Sequence, residues 1–134
     1  MELFYKSYKT NKFGYIVGSI NDELAAILEA FSNEVVFSFE SLEKNLKHHP
    51  DLHEDDYLLL KEIIGKTHLV AKDGDKTVAI VLEYGKLYHY ALKSTRTGKA
   101  VFITSFRRTN EISIEKIRKK AKENKVKILK DFLP

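Results

Sequence analysis

The sequence predicts an α+β domain: N-terminal helices packed on a four-stranded antiparallel meander sheet, followed by a C-terminal helix and a short closing strand. Three observations predict it. Between residues 22 and 64 apolar side chains recur at helical spacing. From Thr67 to Arg108 they alternate instead, and turn signals interrupt the alternation at regular intervals. No repeat, low-complexity tract or Pro/Ser-rich linker divides the 134 residues, so residues 1–134 read as one domain.

The first 20 residues read as extended, with Phe13, Tyr15 and Val17 alternating against Gly14, Ile16 and Gly18. A helix follows over Asp22–Phe31. Asn21 is its N-cap, and Leu24, Ile27, Leu28 and Phe31 form the core-facing stripe. Val35-Val36-Phe37 is a short strand. Ser38 caps a second helix to about His48, with Leu42 and Leu46 on one face and Pro50 ending it. A third helix spans Glu54–Ile64, where Asp51 and Glu54 resemble a capping box and Tyr57, Leu60, Ile63 and Ile64 supply the buried face. Four strands come next, over Thr67–Lys72, Lys76–Tyr84, Lys86–Thr95 and Ala100–Arg108. The turns are marked by Asp73-Gly74-Asp75, Gly85 and Thr97-Gly98. Ser113 caps a last helix to about Glu123, with Ile114, Ile117 and Ala121 inward, and Val126–Leu129 closes the sheet.

Composition excludes several classes of chemistry. With no cysteine there is no thiol nucleophile, disulfide framework, Fe–S cluster or Cys-based zinc site. No apolar run reaches the roughly 18–20 residues of a membrane span, and Met1–Tyr5 lacks the plan of a secretory signal. The expected location is cytoplasmic, with no membrane partner. The net charge of +4 is unevenly spread: residues 1–67 carry 7 Lys/Arg against 12 Asp/Glu, and residues 68–134 carry 16 against 7. A basic half suits a polyanion, because cations that neutralise phosphates release counterions. Lys116, Lys119, Lys120, Lys122 and Lys125 equally fit a merely solvated helix face.

Two places can carry chemistry. On the strand Lys86–Thr95, Tyr88, Tyr90 and Leu92 make the better core face, which leaves His89 and Lys93 on the other. The next strand offers Val101, Ile103, Ser105 and Arg107 on one side and Phe102, Thr104, Phe106 and Arg108 on the other. Either register sets an arginine and a hydroxyl near Lys93. Such a cluster suits a phosphodiester and its transition state, although polar-out alternation is also the ordinary antiparallel pattern. The second place is His49, spaced i, i+4, i+7 with Leu42 and Leu46. It points to the packed side at a helix end, with His48 turned about 100° away. A histidine there exchanges protons near neutral pH, or it is simply a half-buried structural residue. His48, His49, His53 and their neighbouring aspartates show no metal-binding spacing, and Walker, Rossmann and serine-elbow patterns are absent.

The order of these segments resembles the phage-type nucleases of the barnase–EndoU–colicin–RelE superfamily. The front is carried by Gly14-Tyr15-Ile16-Val17-Gly18-Ser19-Ile20 and by Ser41–Pro50, which ends in Lys47-His48-His49-Pro50. The rear is carried by Asp73–Val81, Leu87–Lys93 and Val101–Thr109, so the likeness covers about residues 14–130 in loose patterns. The resemblance implies a metal-independent endoribonuclease of toxin or phage-effector type, needing no cofactor. It would cleave RNA by 2′-OH attack and leave a 2′,3′-cyclic phosphate. It maps catalytic roles to His49, Lys93, Thr104, Ser105 and Arg107, with His48 competing for the place of His49. Arg96, Lys99, Arg108 and His89 are expected to contact nucleic acid. An acidic general base has no clear counterpart beyond Glu83. An acidic inhibitor, or antitoxin, protein is the further partner such a toxin would need. The alternatives are a non-catalytic nucleic-acid-binding module and a phage protein-interaction domain.

Overall fold

The computed structural model describes residues 6–7, 14–95, 98 and 100–134. Phe13, Arg96, Thr97 and Lys99 lie outside them. The strands are β1 (Lys6–Ser7), β2 (Gly14–Ser19), β3 (Glu34–Ser38), β4 (Leu69–Asp73), β5 (Lys76–Glu83), β6 (Lys86–Ser94), β7 (Val101–Arg108) and β8 (Lys127–Asp131). The helices are α1 (Asp22–Ile27), α2 (Phe39–His48), α3 (Glu54–Ile63) and α4 (Glu111–Lys122).

Among the described residues all eight strands join one mixed sheet, in the order β1-β2-β3-β7-β6-β5-β4-β8. This corrects the four-stranded antiparallel sheet expected from the sequence. The hairpin strands β4–β7 form its middle, but β2 pairs antiparallel with β3, and β3 runs parallel to β7 through Val35↔Val101 and Val36↔Phe102. Local alternation cannot announce a partner that lies more than 60 residues along the chain. The hairpin turns were announced: Tyr84 and Gly85 both take positive φ (50° and 76°), the geometry whose twist matches the flanking strands.

Helices also cover both faces rather than one. α1, α2 and α3 bury the larger core, in which Phe37, Tyr57, Tyr88, Tyr90 and Phe106 are fully enclosed. Aromatic side chains of this kind remove about 150–250 Å² each from water and dominate such a core. On the opposite face α4 lays Ile114 and Ile117 against Leu69, Ala71 and Ile80. Arg118 ties α4 to β8 with two bonds to the Asp131 carboxylate, both 2.9 Å.

Caps and boundaries refine the expectations. Asn21 caps α1, accepting from the Leu24 N–H at 2.8 Å, but the helix stops four residues early. Glu29 takes a positive φ of 56°, and Phe31, expected in the core, is 87% exposed. The Asp51/Glu54 capping box is replaced by Asp56, whose carboxylate accepts the His53 N–H at 2.9 Å. At α4 the cap is Asn110, not Ser113, which donates its own N–H to the Asn110 side chain. Among the described residues no helix is long and apolar enough to cross a membrane.

Candidate functional site

The site starts from a fault in the β6–β7 ladder. Ala91 pairs with Ser105 and Leu92 with Ile103, so Thr104 is an extra residue in a β-bulge. The bulge exchanges the faces of β7. Below it, Arg107 and Ser105 stand opposite His89 and Ala91; above it, Lys93 faces Phe102. Neither of the two registers the sequence allowed is therefore followed along the whole strand.

A second local feature brings α2 to this strand. Pairing of β3 with β7 ends at Phe102, which leaves the edge of β7 open further along. Asn45 closes it. Its side-chain carbonyl accepts the Phe106 N–H at 2.9 Å, its amide donates to the Phe106 carbonyl at 2.8 Å, and the same amide donates to the Tyr57 hydroxyl at 2.9 Å. One asparagine thus stands in for a neighbouring strand. The packed stripe of α2 becomes Leu42, Asn45 and His49, while Leu46, expected in the core, is 43% exposed. No sequence period flags Asn45, because a buried amide looks like a polar surface residue. The only hint is its i+3 and i−4 relation to Leu42 and His49.

With α2 anchored at Phe106, His49 at its C-cap lies within electrostatic range of Arg107. A helix C-terminus ordinarily favours an imidazolium. Here partial burial, then the Arg107 charge, hold the His49 pKa below its ordinary value, with Asp51 pulling the other way. His49 is consequently neutral at physiological pH and able to accept a proton. His89, across the ladder from Arg107, is 8% exposed. Burial, then Arg107, then more weakly His49, push its pKa down to about 4, and its Nδ1 has no hydrogen-bond partner. Arg107 thus acts on two neutral imidazoles.

A stability prediction follows from that burial. Between pH 6.5 and about 4 the unfolded chain takes up a proton that folded His89 refuses. The unfolded state binds more protons, so stability falls as pH drops through this window, by about 3 kcal/mol in all. His49 adds in the same direction. The Asp56 carboxyl titrates below the window, because the Tyr88 hydroxyl and the His53 N–H outweigh its burial and hold it under its ordinary range. Urea midpoints measured from pH 7 to pH 4.5 are expected to fall, and His89→Phe is expected to flatten the slope.

The other predicted residues are placed as follows. Lys93 shares the face of His89 but lies four residues on, about 13 Å along a strand, and its ammonium is paired with Asp75 at 2.9 Å. Thr104 donates its hydroxyl to the Ala91 carbonyl at 3.3 Å. Ser105 remains half-buried beside Arg107. Arg108 turns to the opposite face, its guanidinium 5.6 Å from the Tyr88 ring centre. Glu83 follows the alternation of Val81, on the face away from His89, and binds the Lys66 ammonium at 2.8 Å. His48 is exposed. Tyr88 and Tyr90 are fully buried, with hydroxyls bound to Asp56 at 2.5 Å and to the Lys66 carbonyl at 2.9 Å, so neither is a surface for base stacking. Among the described residues no group of three or more His, Asp or Glu is arranged to hold a metal. No protein-family model, curated protein or solved structure matches the chain.

Proposed function

We propose that the chain is an endoribonuclease working by 2′-OH transesterification, with His49 and Arg107 at its centre. The observation that carries this reading is the half-buried imidazole of His49 at the end of α2, within electrostatic range of the Arg107 guanidinium and held by burial and that charge below its ordinary pKa. His49 accepts the proton of the ribose 2′-OH, and the freed 2′-oxygen attacks the adjacent phosphorus. The bond to the 5′-oxygen breaks, that oxygen takes a proton from water, the resulting hydroxide takes the proton held by His49 and so restores the neutral imidazole, and the products are a 2′,3′-cyclic phosphate and a 5′-OH. Arg107 bonds the nonbridging oxygens as negative charge gathers on them, through two parallel N–H donors. Ser105, two residues before Arg107 on β7, supplies a hydroxyl donor on that face. An acidic antitoxin would cover the same basic surface.

Labelled single-stranded RNA incubated with the protein in EDTA is expected to yield fragments ending in cyclic phosphate. Intact RNA at high protein concentration overturns the reading. One observation favours a second reading, a non-catalytic nucleic-acid-binding module: the Lys93 ammonium is engaged by Asp75 rather than presented to a scissile phosphate. That module would bind RNA with steep salt dependence and leave it whole.

A further inference from the structure

A cleft of about 330 Å³ opens between α4 and the sheet face that carries His89. Its polar lining is His89, Arg107, Ser113, Lys116, Lys120 and Asp73, and the rest is apolar. We propose that this cleft is a phosphate-binding subsite for a nucleotide, either a free mononucleotide or a residue flanking the cut in an RNA strand. The second source rests on the ribonuclease reading; the subsite itself does not.

Charge is the first argument. Three cations, Arg107, Lys116 and Lys120, face a single carboxylate, Asp73. Lys116 and Lys120 stand one turn apart on α4, so both project from the same helix face over the cleft. None of the three cations makes an ion pair among the described residues. Without an anion, the cleft concentrates like charge around a partly apolar wall.

His89 is the second argument, and it is independent of the first. The residue lines the cleft and is 8% exposed, and its enclosed Nδ1 has no hydrogen-bond partner. An unmade hydrogen bond at a buried polar atom costs about 1–3 kcal/mol, and native structures carry few of them without a reason. As a neutral imidazole, His89 presents one N–H donor. Three cations and an imidazole at one wall make a phosphate the ligand group whose charge and acceptor oxygens suit this lining. The Ser113 hydroxyl supplies a further donor on the α4 side. The volume sits at the lower end of the 300–1,000 Å³ usual for small-ligand pockets, which suits one nucleotide rather than a larger cofactor.

The full chain is titrated calorimetrically, in low salt, with a nucleoside 3′-monophosphate and with a short 2′-deoxy oligonucleotide, which lacks the attacking hydroxyl. Both are expected to bind, and the His89 ring resonances are expected to shift on addition. Tighter binding of the oligonucleotide identifies the strand as the source of the phosphate; equal affinity identifies the free nucleotide. The double variant Lys116→Glu/Lys120→Glu changes two exposed side chains and is expected to bind at least tenfold more weakly. Absent binding, unchanged affinity in the double variant or unmoved His89 resonances overturns the subsite. The two proposals fail separately. RNA cleavage without nucleotide binding removes only the subsite, and nucleotide binding without cleavage removes only the ribonuclease.

Discussion

Replacing His49 by alanine is expected to lower RNA cleavage by about 10²–10⁴-fold, the usual contribution of a positioned general base. The fold is expected to survive. His49 is a cap residue whose structural bonds are backbone ones, its N–H to the Asn45 carbonyl and its carbonyl from the Leu52 N–H, and both persist in alanine. Unfolding midpoints near neutral pH should therefore match the parent. The pH profile adds a signature that a merely structural role would not produce. Burial and Arg107 hold the imidazole below 6.5, so the acid limb of kcat/KM should have its midpoint below 6.5 and should vanish in the variant. Arg107→Lys keeps the charge but loses the two-pronged geometry, and is expected to reduce kcat as well. Lys93→Ala is expected to change little, because the pair with Asp75 is half-exposed and lies away from Arg107. If Lys93→Ala abolishes cleavage and His49→Ala does not, the centre has been assigned to the wrong residues.

The contrast between His49 and Lys93 shows which parts of the site were legible in the sequence. A 3.6-residue period separates His49 from His48, because two adjacent residues on a helix point about 100° apart, and His48 is indeed exposed. A 2-residue period sends Tyr88 and Tyr90 inward and His89 outward. These are local rules acting within one element. Lys93 was joined to His49 only by the likeness to a known family; the alternation of β6 and β7 left the register open, and the bulge at Thr104 lets neither register run the length of the strand. A bulge inserts one residue without any change in composition, so Val101-Phe102-Ile103-Thr104-Ser105-Phe106 reads as an unbroken strand. The polar face of β6 also looked open, yet Ile114 and Ile117 on α4 bury part of it and turn His89 from a surface residue into a cleft wall. That burial depends on a helix more than 20 residues downstream folding back over the sheet. Pairings of this reach, including β3 with β7, are decided by which long-range packing excludes most apolar surface from water, and no window of the sequence contains that comparison.

Asn45 is where such a long-range requirement falls on a single side chain, and Asn45→Ala is expected to be the most damaging single change in α2. Removing the amide strips partners from the Phe106 N–H and carbonyl at once, and from the Tyr57 hydroxyl. All three groups are buried. Each backbone group left unpaired costs about 1–3 kcal/mol, so a loss of about 3–5 kcal/mol is expected, a size reached only by a few mechanisms. Asn45→Leu fills the space but restores no bond, and should be nearly as destabilising. Asn45→Asp keeps an acceptor for the Phe106 N–H while setting a carboxylate against the Phe106 carbonyl, and should also fail to rescue. Leu46→Ala supplies the counter-test. A helical stripe through Leu42 and Leu46 would make Leu46 the costly position, whereas its 43% exposure predicts a loss of about 1 kcal/mol or less. Urea unfolding with a constant m value, together with faster hydrogen exchange at the Phe106 amide in Asn45→Ala, would establish the edge-closing role. The functional consequence is separable from the stability loss. At temperatures where the variant remains folded, α2 no longer has its anchor on β7, so His49 drifts from Arg107 and kcat falls while the affinity of the α4 cleft for nucleotide holds. Should Asn45→Ala lose less stability than Leu46→Ala, α2 is seated by its apolar stripe after all, and the account of how His49 reaches Arg107 fails with it.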